Sequence, residues 1–279
     1  MADDPGFGRF TEESRRFVRL SATMEPAQLR LARAAMRRLG LGRFIDIGAN
    51  VGLYSIYVGL LDRRPAIEAF EPSAATAAAL EANLALNPSV RARIHRVALS
   101  DHAGVAAFDQ RQTLGTGARI DPAGGDRVTL ARLDDVLPLK GRRDAAMKID
   151  VEGHELSVLA GGAEFISRRV AYAQVESWSP KRRAEVREAM AGYGLRFALR
   201  VKGDQIFLHD SRYDECAEGL QDLAAKASSE AFSVAGRLAR EGARALRDPA
   251  FRAEARALYN GFDDLAIGRR GLIRRILGL

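Results

Sequence analysis

Phe44 to Gly52, with the sequence FIDIGANVG, is the stretch that decides the fold. An apolar run that stops at a glycine predicts a buried strand followed by a tight turn into a helix. The dinucleotide-binding pattern Gly-x-Gly-x-x-Gly is not matched, because its middle glycine is missing. A carboxylate at Asp46 would repel a pyrophosphate but could hold an ammonium group. The stretch therefore predicts a strand-to-helix turn beside a ligand that carries no phosphate.

The segments on both sides repeat the alternation of strand and helix. Apolar runs predict strands at 66–72, 90–100, 144–150 and 170–177, and periodic stretches predict helices at 51–62, 73–87, 154–166 and 180–194. Two more strands at 195–201 and 205–210, separated by Lys-Gly-Asp, predict a final hairpin. This order predicts an α/β fold with a parallel, doubly wound sheet and right-handed crossovers.

The chain divides into three predicted parts. Residues 1–40 form an N-terminal helical segment, in which Pro26 suits a first helical turn and Gly40 a helix end. Residues 41–210 hold the strand–helix alternation, with two short strands at 104–109 and 126–133 before the fourth strand at 144–150. Residues 211–279, rich in Ala and Arg, form a helical C-terminal extension that Pro249 is expected to divide.

Acidic side chains after the second and third strands complete the predicted ligand site. Ligands of doubly wound sheets lie beyond the carboxyl ends of the strands. Glu71 stands roughly 20 residues after the glycine turn, where an acid accepts hydrogen bonds from both ribose hydroxyls. Asp101, next to Ser100, can accept hydrogen bonds from an adenine amino group. The predicted cofactor-binding residues are Asp46, Gly48, Ala49, Asn50, Gly52, Glu71, Ser100 and Asp101.

Four motifs resemble the FkbM family of S-adenosylmethionine (SAM)-dependent methyltransferases. They are FIDIGANVGLYSI, AFEPSAATAAALEANLALN, VALSDHAG and KIDVEGHELSVLAG, within a resemblance that runs from about Arg43 to Trp178. KIDVEGHE is the most specific motif, because other class I methyltransferases usually lack it. The resemblance implies a seven-stranded Rossmann-like fold, SAM as cofactor, and O-methylation of hydroxyls on sugars, polyketides or other secondary metabolites.

The KIDVEGHE motif also holds the candidates for proton transfer. Transfer of a methyl group to an alcohol needs a base that takes the hydroxyl proton. His154, at a helix start that disfavours its charged form, is the first candidate for the base, and Asp150 is the second. Lys148 shares a strand face with Asp150 and could orient a carboxylate or the acceptor oxygen. The remaining catalytic candidates are Glu152 and Glu176.

A divalent metal and a lid are open alternatives at this stage. Asp150, Glu152 and Glu176 could offer oxygen ligands to Mg²⁺, which would acidify the acceptor hydroxyl. The Gly- and Thr-rich stretch at 113–126 is predicted to be a loop that either covers the substrate or is an ordinary surface connection. Glu155 is expected to be a solvated acid in the first turn of its helix.

The charges of the first ten residues and of the predicted C-terminal helix lead to expectations about the location and the partners of the protein. The acidic first ten residues have no apolar stretch, so we expect no secretory signal and a cytoplasmic protein. Residues 262–279 predict a basic amphipathic helix, which would either contact the inner face of a membrane peripherally or pack on the domain or on a second subunit in a homo-oligomer. The expected partner is a small-molecule or glycan acceptor, and we expect no nucleic acid.

Three other functions compete with a SAM-dependent O-methyltransferase. A NAD-dependent oxidoreductase would share the fold, but the missing middle glycine and Asp46 disfavour it. A nucleic-acid methyltransferase is suggested by the net charge of +7, yet acidic groups after the fourth strand suit a phosphate backbone badly. A non-catalytic SAM-binding or scaffold protein would keep the same motifs without turnover.

Overall fold

The computed structural model describes residues 8–15, 17–18, 25–109 and 119–225. Its strands are β1 Arg43–Ile47, β2 Ala66–Phe70, β3 Arg91–His95, β4 Ala98–Leu99, β5 Gly104–Asp109, β6 Arg119–Ile120, β7 Asp126–Ala131, β8 Ala145–Ile149, β9 Val170–Glu176, β10 Leu195–Val201 and β11 Asp204–His209. Its helices are α1 Pro26–Arg38, α2 Leu53–Gly59, α3 Ala74–Ala85, α4 Leu133–Val136, α5 Glu155–Gly161, α6 Ala163–Arg169 and α7 Pro180–Gly192. Residues 12–15, 17–18 and 213–225 are also helical.

Seven strands form the main sheet in the order β10-β11-β9-β8-β1-β2-β3. β11 pairs antiparallel with both of its neighbours, and the other pairs in this sheet are parallel. The chain runs outward from β1 to β3 and returns to β8, so the direction of winding changes between β1 and β8. This is the switch point at which doubly wound sheets bind their ligands. The predicted Rossmann-like sheet with its final hairpin is confirmed.

Alternating side chains divide the core between the two faces of the sheet. Ile45, Met147 and Ala173 belong to the cluster on the α5–α7 face, whereas Phe44 and Ala146 belong to the cluster on the α1–α2 face. Strands that are buried on both faces read as continuous apolar runs, as these do. Polar residues inside such runs are therefore exceptions that need partners.

Helix α1 packs an apolar stripe against the domain. Proline stands in its first turn, and Gly40 follows its end with a positive φ of 62°. The stripe residues are all buried: Leu29, Leu31, Ala32, Ala35, Met36 and Leu39. Residues 8–15 are tied to α3 and to the turn after it. The N–H of Thr11 donates to Asn83 Oδ1, and the backbone of Arg9 exchanges two hydrogen bonds with Asn87.

Two predicted elements are wrong in their extent. The single strand at 90–100 is divided into β3 in the main sheet and β4 in a second, four-stranded sheet of order β4-β7-β5-β6. The predicted single helix at 154–166 is divided at Gly162, which ends α5 and precedes α6. A side chain on Gly162 would meet Leu133 at 2.9 Å, so close packing on α4 favours glycine there.

Several predictions fall on residues that the structure does not describe. These are the break at Pro249, the amphipathic helix at 262–279 and the first part of the 113–126 loop. The rest of that loop includes β6, which pairs with β5. Within the described ranges, no helix combines the length and the hydropathy that crossing a bilayer requires.

Candidate active site

The β1–α2 turn approaches its neighbours too closely for side chains at its glycines. A Cβ on Gly48 would stand 1.9 Å from the carbonyl oxygen of Asp150, and one on Gly52 would stand 2.5 Å from Leu80 Cδ1. Both glycines have positive φ, 79° and 91°, which other residues adopt at a cost. Asn50 also has a positive φ, 50°, a conformation that asparagine tolerates. Glycine at these two positions therefore lets the turn pack closely against Asp150 and α3 at the switch point of the sheet.

Glu71 stands at the carboxyl end of β2 and faces this turn. Its Oε2 accepts the backbone N–H of Asn50 at 3.0 Å, and its Oε1 accepts the backbone N–H of Ser73 at 3.0 Å. Burial raises the pKa of Glu71 to about 7, despite these two hydrogen bonds. The carboxylate is held in one orientation, and each oxygen retains a lone pair with which it can accept a second hydrogen bond.

Asp46 lies deeper, below the start of α2. Its Oδ2 accepts the hydroxyl of Ser55 at 2.6 Å, and burial raises its pKa to about 6. Asp46 pairs in register with Lys148 of β8. We call the group of Asp46, the Gly48–Gly52 turn and Glu71 the cofactor crevice.

Ser100 and Asp101 follow β4, and His154 joins them. Ser100 Oγ lies 3.0 Å from His154 Nε2 and donates a hydrogen bond to Asp101 Oδ1 at 3.0 Å. The half-exposed carboxylate of Asp101 also lies 2.7 Å from His102 Nδ1. A Cβ on Gly161 would stand 1.8 Å from the carbonyl oxygen of Ser100, so α5 crosses this segment closely. Burial, with His102 and Arg182 nearby, lowers the pKa of His154.

Lys148, Asp150 and Glu176 meet at the carboxyl ends of β8 and β9. Lys148 Nζ lies 3.2 Å from Asp150 Oδ2, and Glu176 shares a hydrogen bond with Asp150. Burial and the charge of Asp150 raise the pKa of Glu176 to about 10, so Glu176 is a neutral donor at pH 7. Burial opposes the charge on Asp150, but Lys148 and Glu176 together hold the pKa of Asp150 below its ordinary value. We call Asp150 and Glu176 the carboxyl pair.

A chain of buried polar groups behind Lys148 was not predicted. Lys148 Nζ also lies 3.4 Å from Asp204 Oδ1, which accepts a hydrogen bond from Gln174 Nε2 at 3.0 Å. The same Gln174 amide donates to the Tyr54 hydroxyl at 3.2 Å, and that hydroxyl donates to Glu25 at 2.9 Å. The signal in the sequence is Lys148 and Gln174 standing inside apolar strands, where unpaired polar groups are costly.

The last two acids of the KIDVEGHE motif have different surroundings. Glu152 is exposed in the β8–α5 turn, with a positive φ of 50°. Glu155 is buried, accepts the backbone N–H of Gly153 at 2.7 Å, and lies 3.8 Å from Arg182. The expectation that Glu155 is a solvated acid is therefore wrong. Among the described residues, no group of three His, Cys, Asp or Glu side chains could hold a metal ion, so the Mg²⁺ set of Asp150, Glu152 and Glu176 gains no support.

The structure thus divides the predicted site residues into two places. The cofactor crevice and the Ser100–Asp101 segment lie at the ends of β1, β2 and β4, and His154 joins that side through Ser100. Lys148 and the carboxyl pair lie at the ends of β8 and β9. Sheet order and this arrangement define a doubly wound, Rossmann-like α/β protein with its functional groups at the switch point.

Comparison with known proteins identifies the family. Residues 46–197, more than half of the chain, match the methyltransferase FkbM domain. The chain belongs to the FkbM methyltransferase family, and this membership implies SAM as cofactor.

Three relatives illustrate the extent of the similarity. The methyltransferase sdnD of Sordaria araneosa is 30% identical over 171 residues, which cover 49% of this chain and 66% of that protein. The 31-O-demethyl-FK506 methyltransferase FkbM of Streptomyces tacrolimicus is 31% identical over 150 residues, which cover 42% of this chain and 57% of that protein. The crystal structure of a methyltransferase FkbM from Methylobacillus flagellatus aligns with 14% identity and a TM-score of 0.47, covering 61% of this chain and 44% of that one. The chain therefore spans less than two thirds of the length of these relatives.

Proposed function

We propose that the protein is a SAM-dependent methyltransferase that methylates a hydroxyl group on a sugar, a glycan or a secondary metabolite. The observation that carries this proposal is the carboxylate of Glu71, fixed by two backbone N–H groups beside a turn that has no room for side chains at Gly48 and Gly52. Both oxygens can still accept the hydroxyls of a ribose. No group in the cofactor crevice favours a pyrophosphate, because both of its acids would repel one.

The residues present fit the nucleoside and amino-acid parts of SAM. Glu71 would accept hydrogen bonds from the ribose hydroxyls, Asp101 from the adenine amino group, and Asp46 would attract the ammonium group. The backbone of the Gly48–Gly52 turn would lie along the cofactor. When bound, SAM supplies a methyl group on a positively charged sulfur.

Asp150 is the base that the geometry favours for the acceptor hydroxyl. It is ionised at neutral pH, partly exposed, and held by Lys148 on one side and by neutral Glu176 on the other. A carboxylate fixed in this way can accept the hydroxyl proton as the oxygen takes up the methyl group. Lys148 and Glu176 would act by positioning Asp150 and by stabilising its charge.

His154, the first candidate from the sequence, is better suited to the adenine side of the site. Its Nε2 is engaged by Ser100, which also binds Asp101. A base at that position would stand with the predicted adenine ligands rather than with the carboxyl pair. We therefore assign His154 to holding the Ser100–Asp101 segment in place.

Support for an oxygen acceptor comes from one relative. The Streptomyces enzyme is named for 31-O-demethyl-FK506, a compound that lacks a methyl group on an oxygen. The charged groups at the ends of β8 and β9 agree with that chemistry, because a hydroxyl must lose its proton whereas the methyl donor is already activated.

Turnover tests the proposal directly. Purified protein is incubated with SAM and panels of hydroxylated sugars and polyketides, and release of S-adenosylhomocysteine (SAH) is measured. Asp150→Asn should lower kcat by about 10²-fold or more while SAM affinity stays within about twofold. His154→Ala should weaken SAM affinity more than it lowers kcat at saturating SAM. The reverse pattern for the two variants would overturn the assignment of the base.

A further inference from the structure

Trp178 is an exposed aromatic side chain beside the carboxyl pair. It is the single tryptophan of the sequence, and 66% of its surface is exposed. It stands two residues beyond Glu176, in the connection between β9 and α7. Single exposed apolar residues are common on proteins, so exposure alone assigns no role. Its placement at the carboxyl edge of the sheet is what requires an explanation.

Hydrogen bonds fix the backbone on both sides of Trp178. The N–H of Ser177 donates to the carbonyl of Gly203 at 2.9 Å, and Arg183 donates to the carbonyl of Trp178 at 2.5 Å. Ser179 then caps α7 by accepting the N–H of Arg182 at 3.0 Å. The backbone of Trp178 is therefore held in place, which reduces the entropy that binding would cost.

The β10–β11 turn makes room for the indole ring. A Cβ on Gly203 would stand 3.0 Å from Cε2 and 3.1 Å from Cζ2 of Trp178, and 3.2 Å from Cγ of Glu176. The indole therefore packs against backbone at Gly203 and lies directly beside Glu176, while most of its surface stays open. The open surface of the Trp178 indole is thus adjacent to the carboxyl pair, next to Glu176 at the end of β9.

We propose that Trp178 is the platform on which the methyl acceptor stacks, and that the acceptor carries a pyranose ring. The face of an aromatic ring bears partial negative charge and attracts C–H groups that neighbouring oxygens have polarised. A pyranose presents such C–H groups on its face and hydroxyls on its edge. Stacking on Trp178 would turn one edge hydroxyl towards Asp150 and Glu176, which accept and donate hydrogen bonds. This inference rests on the proposed function and narrows it to sugar acceptors.

Fluorescence of the single tryptophan tests the proposal without a known acceptor. In the presence of SAH, the protein is titrated with methyl glucoside, methyl rhamnoside and glucuronic acid, and with sorbitol as an acyclic control. Emission wavelength and quenching by acrylamide are recorded. Free protein should emit as exposed indole, and at least one pyranoside should shift the emission to shorter wavelength and reduce quenching. Gly203→Ala, whose new Cβ would stand 3.0 Å from Cε2 of the indole, should weaken the protection.

Kinetics give a second readout. For the pyranoside that supports SAH release, Trp178→Ala should raise KM about tenfold with SAM affinity unchanged, which corresponds to the loss of a stacking contact of about 1.4 kcal/mol. Val105→Ala, an exposed apolar residue in the second sheet, serves as the matched control and should leave KM unchanged.

The outcomes separate this inference from the proposed function. If SAH and SAM do not bind in calorimetry, the proposed function fails and the inference fails with it. If they bind but no pyranoside protects the indole, or sorbitol protects it equally, the stacking proposal is wrong. Emission of a shielded indole before any addition would show that another part of the protein covers Trp178, and would also overturn it.

Discussion

Replacing Lys148 with methionine should destabilise the protein strongly, even though it keeps most of the side-chain volume. Lys148 is 2% exposed, and its ammonium lies between Asp150, 31% exposed, and Asp204, 1% exposed. Burial opposes the ammonium charge, but these carboxylates outweigh it and raise the pKa of Lys148 well above its ordinary value. Lys148 is therefore charged throughout the neutral range, and its stabilisation is present in full at pH 7.

The magnitude follows from what the substitution leaves behind. Removing one partner from a buried ion pair costs about 3–5 kcal/mol, mostly because the remaining charge stays uncompensated. The lower end applies here, because Asp150 is 31% exposed and can be hydrated, and Asp204 keeps the hydrogen bond from Gln174. We expect Lys148→Met to lower the free energy of unfolding by about 3 kcal/mol at pH 7.

Urea denaturation followed by circular dichroism measures this loss of unfolding free energy. Repeating the measurement at several pH values shows whether uncompensated carboxylates cause it. In the variant, Asp150 loses the ammonium that lowers its pKa and takes up a proton more readily, so the deficit relative to wild type should shrink as the pH falls from 7 to 5. Lys181→Met is the matched control, because Lys181 is 89% exposed and 3.9 Å from its partner Glu185; it should change stability by less than about 0.5 kcal/mol. A deficit for Lys148→Met as small as that of the control, or one independent of pH, would refute the reasoning.

Two further predictions concern the turn and the carboxyl pair. Gly48→Ala should lower the melting temperature sharply, because its Cβ would stand 1.9 Å from the Asp150 carbonyl oxygen. The control Gly192→Ala, which has nothing within 4 Å of the new Cβ, should not lower it. Equal melting temperatures for the two variants would contradict this prediction. Glu176→Gln should be at least as stable as wild type at pH 7, because the pKa of Glu176 is raised to about 10 and the side chain is neutral there. Because the pKa of Glu176 is higher in the folded than in the unfolded protein, the stability of the wild type falls as the pH rises above the unfolded-state pKa. The stability advantage of Glu176→Gln should therefore grow from pH 6 to 9. A shrinking advantage would count against a proton shared between Glu176 and Asp150.

Features of the fold that depend on local sequence could be predicted. Apolar runs bounded by glycine located the central strands, and the predicted start of a helix at residue 73 agrees with Ser73, which caps α3 by accepting the N–H of Thr76 at 3.1 Å. Spacing along the strands also predicted that Lys148 and Asp150 would share a face, and their side chains do meet. These inferences needed only periodicity, capping and the side-chain alternation of strands.

Features that depend on contacts between residues distant in the sequence could not be predicted. Nothing near Ser100 indicates that His154 binds it, because 54 positions separate them. The pairing of β4 with β7 rather than with β3 depends on the second sheet, which periodicity does not reveal. Glu155 was misjudged because a first-turn acid is usually solvated, whereas here Gly153 and Arg182 enclose it. Long-range packing decided each of these cases, overriding the local preference.

Calorimetric titration of SAM and SAH tests the central assignment, the cofactor crevice, most directly. Wild-type protein should bind both compounds and should not bind NAD. Glu71→Ala should weaken their affinity by about tenfold or more, since each hydrogen bond to a charged group contributes about 1.5–3 kcal/mol, while Glu81→Ala, an exposed acid on α3, should not. Folded wild-type protein that binds neither compound, or a Glu71→Ala variant with unchanged affinity, would contradict the account.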